Sequence, residues 1–340
     1  MCRVLWPARE AQHGHPPEPP PNVRCLSSLA LCGQVMASLG DQNSRERGSM
    51  QSRPFTVRLP SMSTRLINII RDRWHPLWRL RQLPAYRWFQ RRFDFTVYTH
   101  IPETGIRVAV KGLRDASWIA SPASLEPEIR SAFALALDLL RPSVFWDIGA
   151  NIGFYSWLVR KYPSVQQVVM FEPDPTNFAL IANTIRTNSI LNCHPMNVAL
   201  SDRCGETTFL LDRASGATGS LEVTSHRENK HSLHHAYQMT ETITCATATV
   251  DSLIADGLPP PKLMKIDVEG AEHLVLAGAG TCLTSDMPVL IVETSNTDLV
   301  NRLRDTGYRA FRIDAGNILF IQAATDLDFG PFINAFSEYD

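Results

Sequence analysis

From residue 147 onward, carboxylates follow short apolar runs at several places, where buried strands would end. They are Asp147, Glu172, Asp202, Asp267 and Glu293. A buried, unpaired carboxylate is costly, so core packing does not explain this pattern. In a sheet of parallel strands, ligands bind outside the carboxyl ends, near the point where strand order switches. The acids therefore predict a polar ligand site along one edge of a sheet.

The first of these acids opens a turn in the stretch VFWDIGANIGFY, residues 144–155. An apolar strand leads into Gly149, Asn151 and Gly153, and a helix begins after them. Turns that hold a pyrophosphate use Gly-x-Gly-x-x-Gly, whose glycines let the backbone approach the phosphates. Here Asn151 brings a side chain to the turn, and Asp147 before it suits a cationic amine. S-adenosylmethionine (SAM) has such an amine and no phosphate, so the turn favours SAM over NAD.

The acid after the next strand fits the same ligand. A carboxylate at the end of the second strand can accept hydrogen bonds from both hydroxyls of a ribose. Glu172 is at that position. NAD and SAM both contain ribose, so Glu172 alone does not choose between them.

A second cluster follows a later strand, in LMKIDVEGAEH, residues 263–273. It places Asp267, Glu269, Glu272 and His273 within seven residues. If the strand continued, Asp267 and Glu269 would point the same way. The alternative is a strand-to-helix connection whose acidic first turn complements the helix dipole.

The elements that must position these residues alternate along the chain. From Val144 onward, short apolar strands alternate with helices, which is typical of a doubly wound sheet with buried parallel strands. Strands at 308–313 and 317–322 predict a terminal antiparallel hairpin. Before Val144, the sequence predicts a hairpin from strands at 95–98 and 106–111, and then a helix over 126–140. The fold class predicted is α/β.

Four blocks together resemble the FkbM-type SAM-dependent methyltransferases, in their order and spacing, over roughly residues 95–325. The blocks are DIGANIG (147–153), FEP (171–173), NVALSD (197–202) with Gly205, and KIDVEGAE (265–272). The resemblance implies a Rossmann-like class I methyltransferase fold. It also implies transfer of a methyl group from SAM, mostly to hydroxyl oxygens of natural products and sugars.

With that resemblance, the site residues take expected roles. Asp147 and the turn from Gly149 through Asn151 to Gly153 would hold the methionine end of SAM, and Glu172 the ribose. Asp202, or the backbone of residues 199–201, would lie near the adenine. Asp267 is the first candidate for a base or acceptor-positioning group, because it ends a strand at the reactive edge; Glu269 and His273 follow.

No metal is expected, although two groups of residues could hold one. Asp267, Glu269 and Glu293 could hold a divalent cation, but they lack a ligand signature comparable with a zinc motif. The polar stretch 215–235 contains four histidines, of which His231, His234 and His235 could share a helix face. We expect this stretch to be a surface loop, placed where it could cover the acceptor.

The N-terminal third divides into two parts. Residues 1–61 hold eight prolines and no hydrophobic periodicity, which predicts a disordered tail or a stretch before the true start. Residues 62–94 form a basic, aromatic, helical segment, whose stretch 62–93 holds eight arginines and one acid, Asp72. We expect its aromatic face to pack on the domain, the alternative being contact with an anionic membrane surface. The methyltransferase domain would then cover 95–340.

The composition of the whole chain narrows the classes of protein to which it could belong. A formal net charge of −1 argues against a general nucleic-acid binder. Seven scattered cysteines without a Cys-x-x-Cys pair indicate a reducing compartment, so we expect a cytoplasmic protein, with peripheral membrane contact through 62–93 as the variant. The expected partner is a small-molecule or glycan hydroxyl acceptor. Rival interpretations are an NAD-dependent oxidoreductase and a non-catalytic protein that keeps the SAM fold.

Overall fold

The computed structural model describes residues 83–101, 103–115, 126–213, 216, 219–221, 240–324 and 328–339. The strands in chain order are β1 (Thr96–Ile101), β2 (Ile106–Lys111), β3 (Val144–Ile148), β4 (Gln167–Phe171), β5 (Cys193–Met196), β6 (Ala199–Leu200), β7 (Gly205–Asp212), β8 (Ser220–Leu221), β9 (Thr240–Ala248), β10 (Leu263–Ile266), β11 (Val289–Glu293), β12 (Tyr308–Arg312), β13 (Asn317–Gln322) and β14 (Ser337–Glu338). The helices are α1 (Pro84–Phe93), α2 (Pro127–Leu140), α3 (Phe154–Leu158), α4 (Pro175–Thr187), α5 (Val250–Ala255), α6 (Glu272–Ala277), α7 (Gly280–Ser285), α8 (Thr297–Asp305) and α9 (Gly330–Ala335).

The main sheet has the strand order β14-β12-β13-β11-β10-β3-β4-β5. Strands β5, β4, β3, β10 and β11 are parallel, whereas β13, β12 and β14 are antiparallel additions. The chain proceeds outward from β3 through β4 to β5, and then returns to β10 on the other side of β3. Strand order therefore switches between β3 and β10, where such a sheet opens a crevice for ligands. The predicted α/β, Rossmann-like sheet with its C-terminal antiparallel hairpin is confirmed.

Helices cover both faces of the sheet, which is why its parallel strands are apolar throughout. Every residue of β3 is buried. One core contains Phe133 and Trp157 from the helices on one face, and the other contains Trp146 and Phe171 from the strands. The sheet is thus a rigid support for its carboxyl edge.

A smaller sheet with the order β6-β9-β7-β8 lies between β5 and β10 in sequence. Between Met196 and Ala199 the chain leaves the main sheet and enters the smaller one. Asn197 causes the break: its side-chain amide donates to the carbonyl oxygens of Glu172 (2.8 Å) and Pro173 (3.0 Å). This places β6 beside the ligand edge of the main sheet.

The hairpin of β1 and β2 packs on α4, where the Ala109 amide donates to Thr184 Oγ1 at 2.9 Å. Helix α1 precedes it and exposes Trp88, Phe89 and Phe93 to solvent. Within the described residues, the predicted packing of the aromatic face on the domain is therefore not seen for these three side chains. Residues 1–82, with Trp74 and Trp78, lie outside the described residues, as do the histidines of 226–235. In the described part of the chain, every helix is too short or too polar to cross a bilayer.

Candidate active site

The turn after β3 has a left-handed backbone at three positions, a conformation that favours glycine. Gly149, Asn151 and Gly153 all have positive φ, at 78°, 54° and 83°. A Cβ on Gly149 would lie 1.8 Å from the carbonyl oxygen of Asp267. A Cβ on Gly153 would lie 2.5 Å from Met170 Cε. The two glycines thus let the turn approach β4 and the chain after β10, and Asn is the type that best tolerates the position between them.

The first three amides of this turn donate hydrogen bonds within the protein. Those of Gly149 and Ala150 both donate to the carbonyl oxygen of Phe171, each at 3.0 Å. The amide of Asn151 donates to Glu172 Oε2 at 2.7 Å. A pyrophosphate site needs free N–H groups in this turn, so the arrangement does not suit one.

Glu172 lies at the carboxyl end of β4, where it joins the turn to the next helix. Its Oε1 accepts from the Asp174 amide at 2.8 Å, and its Oε2 from Asn151. Burial raises the pKa of Glu172 to about 8, with the charge of Asp174 adding to the effect. A carboxylate has about four acceptor positions, so two amide bonds leave it able to accept from a ligand.

Asp147 does not end its strand, as the sequence suggested, because β3 continues through Ile148. Its Oδ2 accepts from the amide (3.1 Å) and the hydroxyl (2.7 Å) of Ser156. Burial raises its pKa, while nearby Lys265 lowers it in part. Asp147 is therefore tied to α3 beneath the turn, where it fixes the direction of that helix.

Adjacent strand ends bring Asp267 and Glu293 together. Ile266 pairs with Val292, so the residues that follow are neighbours across β10 and β11. Lys265 Nζ lies 2.6 Å from Asp267 Oδ2, and the Lys265 side chain is buried. Burial raises the pKa of Asp267. The positive charge of Lys265 and the hydrogen bonds from Glu293 and Lys265 outweigh burial and lower the pKa below its usual value. The charge of Asp267, with burial, raises the pKa of Glu293 strongly. Asp267 is thus the ionised member of the pair and Glu293 the protonated one.

The two glutamates after Asp267 have different surroundings. Glu272 Oε1 accepts from the amides of Gly270 (3.0 Å) and Val268 (3.3 Å), so it stabilises the connection at the start of α6. Glu269 adopts a left-handed backbone, with φ of 53°. Burial raises its pKa to about 8, and the charge of Asp267 adds to this. The structure therefore separates a structural acid, Glu272, from one that faces the cavity, Glu269.

An open cavity of about 600 Å³ lies at the switch point of the sheet. Gly149, Asn151, Glu172, Asp267 and Glu269 line it together. Its apolar wall comes from β6, from the smaller sheet and from the chain after β10; this wall contains Val198, Ala199, Leu200, Phe209, Leu221 and Val268.

The remaining predicted site residues lie away from the cavity wall. Asp202 is partly exposed and pairs with Arg203 at 3.6 Å. His273 is the second residue of α6 and is partly buried. Of the two regions predicted to meet the adenine, it is Ala199 and Leu200 that line the cavity. Within the described residues, no group of three potential ligands is arranged to hold a metal ion.

Sequence reasoning missed several groups that shape the site. Lys265 neutralises Asp267, and its Nζ lies 4.7 Å from the centre of the Tyr155 ring. Tyr155 in turn donates to Glu126 Oε2 at 2.5 Å. A lysine inside a buried strand is rare unless it is paired, and this rarity could have revealed Lys265. Glu126 and Tyr155 lie far apart in sequence, and only the fold brings them together.

Comparisons with known proteins agree with this geometry. Residues 147–310 match the model of the methyltransferase FkbM domain. The chain is 29% identical over 144 residues to the hexuronic acid methyltransferase AglP of Haloferax volcanii, covering 42% of this chain and 52% of that protein. It is 25% identical over 141 residues to methyltransferase 1 of Beauveria bassiana, covering 39% and 56%. The chain thus spans about half the length of the curated relatives it matches.

Solved structures give weaker matches. A methyltransferase FkbM from Methylobacillus flagellatus has 18% identity and a TM-score of 0.38, covering 53% of this chain and 44% of its own. An O-methyltransferase from Bacillus cereus in complex with SAH has 12% identity and a TM-score of 0.32, covering 58% and 82%.

Proposed function

We propose that this chain, which carries an FkbM methyltransferase domain over residues 147–310, transfers a methyl group from SAM to a hydroxyl oxygen of a sugar, glycolipid or other natural product. The observation that carries the proposal is the meeting of Glu172, the glycine turn and Asp267 in one cavity at the switch point of the sheet. Cofactor and acceptor would meet there, so methyl transfer becomes a matter of alignment.

The choice of SAM as the cofactor rests on which hydrogen-bonding groups the site offers to a ligand. Glu172 keeps acceptor capacity for the two ribose hydroxyls. The turn beside it has committed the amides of residues 149–151 to Phe171 and Glu172, which disfavours the pyrophosphate of NAD. SAM contains no phosphate, so it does not need those amides. The adenine would lie against the apolar wall beside Ala199 and Leu200.

The chemical half rests on Asp267. In an in-line displacement, the hydroxyl oxygen would bond to the methyl carbon as the C–S bond of SAM breaks and S-adenosylhomocysteine leaves. The oxygen becomes positive, so its proton becomes acidic and an ionised carboxylate is basic enough to take it. Lys265 and Glu293 both keep Asp267 ionised and oriented. Glu269, with a pKa of about 8, is the second candidate to receive the proton. His273 is a weaker candidate for the base, because it does not line the cavity.

The test is a screen with radiolabelled SAM against glycans, glycolipids and polyketide-like alcohols. Once an acceptor is found, Asp267→Asn should lower turnover by about 10²-fold or more while changing SAM affinity little, because general-base catalysis contributes about 10²–10⁴-fold. The matched control is Asp305→Asn, which removes an exposed acid at the end of α8. Unchanged turnover in Asp267→Asn would remove this residue from the mechanism. SAM binding without any turnover, across all acceptors, would favour the non-catalytic alternative.

A further inference from the structure

Helix α1 carries an aromatic cluster that the proposed site does not use. Trp88, Phe89 and Phe93 are 65%, 47% and 49% exposed. Their rings contact one another: the Phe93 ring centre lies 6.2 Å from that of Trp88 and 4.9 Å from that of Phe89. Large aromatic side chains that pack together on the surface commonly mark an interaction site.

Two further large apolar side chains next to the helix in sequence are exposed. Leu83 before it is 50% exposed, and Phe95 after it is 63% exposed. The opposite side of α1 is anchored, because Gln90 is buried. Helix α1 therefore presents an apolar face outward while it is held to the protein by its other face.

The sequence of this helix, and of the residues before it, is rich in arginine. Helix α1, PAYRWFQRRF, contains Arg87, Arg91 and Arg92 and no acid. The preceding residues 62–83 add five arginines and only Asp72. The whole chain has a net charge of −1, so this positive charge is local.

We infer that the aromatic face of α1, with Trp88, Phe89 and Phe93, docks on an anionic lipid membrane. Tryptophan and phenylalanine enter the boundary between headgroups and acyl chains, and arginines beside them attract the anionic headgroups. The positive charge of α1 also argues against a second copy of the chain as the partner of this face. A second copy of α1 would bring arginines against arginines.

Co-sedimentation of the full chain with phosphatidylcholine vesicles, with and without phosphatidylserine, tests this inference. We expect binding to vesicles with phosphatidylserine, weaker binding to neutral ones, and weakening by salt. The triple variant W88S/F89S/F93S should bind about tenfold less or worse. Arg92→Gln, which leaves the apolar face intact, should bind about fivefold less. The control L191S/I333S, which removes two exposed apolar side chains elsewhere, should bind like the wild type.

Several results would overturn the inference. They are absence of wild-type binding, equal binding to neutral vesicles, and equal binding by the triple variant. Light scattering that shows a dimer lost in W88S/F89S/F93S would assign the face to a second copy instead. Binding of single-stranded RNA that the triple variant loses, with no vesicle binding, would assign it to nucleic acid.

Discussion

Glu172 is the residue whose ionisation the cofactor proposal depends on most. Its pKa is about 8 because it is buried, yet ribose hydroxyls donate to the ionised form. Below pH 8, binding must therefore release a proton, and the affinity for SAM should rise with pH by up to tenfold per unit. Titration calorimetry between pH 6 and 9 measures this.

The matched variant is Glu172→Gln, which keeps the shape of the side chain but cannot ionise. The α-amino group of SAM titrates in the same range, so this variant supplies the baseline. We expect the variant to bind more weakly and with a flatter pH profile. The same slope in both proteins would contradict the role of Glu172.

At the residue scale, sequence spacing predicted part of the site and geometry supplied the rest. Glu172, Asp267 and Glu269 were found because acids after apolar strands share one sheet edge. Asp147 was also predicted to face the ligand, but the structure ties it to Ser156. Which carboxylate is free depends on such local partners, and neither Ser156 nor Lys265 could be assigned to a carboxylate by spacing alone.

At the scale of elements, Arg114 joins the β1–β2 hairpin to the cavity wall. Its guanidinium bonds Asp115 at 2.7 and 3.2 Å and Asn177 Oδ1 at 2.7 Å, and Asn177 Nδ2 donates to Gly216 O at 3.0 Å. Asn177 and Gly216 line the cavity. Arg114→Ala would leave Asp115 buried without its partner, at a cost of about 3–5 kcal/mol. Thermal unfolding should show this as a loss of about 10 °C.

The comparison for Arg114 is Arg203→Ala. Arg203 is 79% exposed and pairs with Asp202 at 3.6 Å, so its removal should cost less than about 1 kcal/mol. An equal fall in melting temperature for the two variants would mean that Arg114 does not join the hairpin to the wall.

Element types were well predicted where local signals are strong. Asp followed by Pro is the pattern of a helix N-cap and first helical position, and at the start of α4 the Asp174 side chain accepts from the Thr176 amide. Alternating apolar strands predicted the main sheet. The break between β5 and β6 was missed, because it depends on bonds from Asn197 to Glu172 and Pro173, which are distant in sequence.

At the scale of the whole molecule, the strand order explains why these parts meet. The switch between β3 and β10 brings the glycine turn beside Asp267, and β4 adds Glu172 from the other side. The smaller sheet then supplies an apolar wall through Phe209 and Leu221. Sequence alone predicted an α/β sheet with these acids at one edge, but it could not predict the wall, because that depends on how two sheets meet.

The central claim is that this cavity binds SAM and not NAD. Titration calorimetry of the full chain with each ligand at pH 8.5 tests it directly. We predict SAM binding with a Kd of micromolar order, weakened about tenfold or more in Glu172→Gln, and no measurable NAD binding. Micromolar binding of NAD together with no binding of SAM would contradict the account.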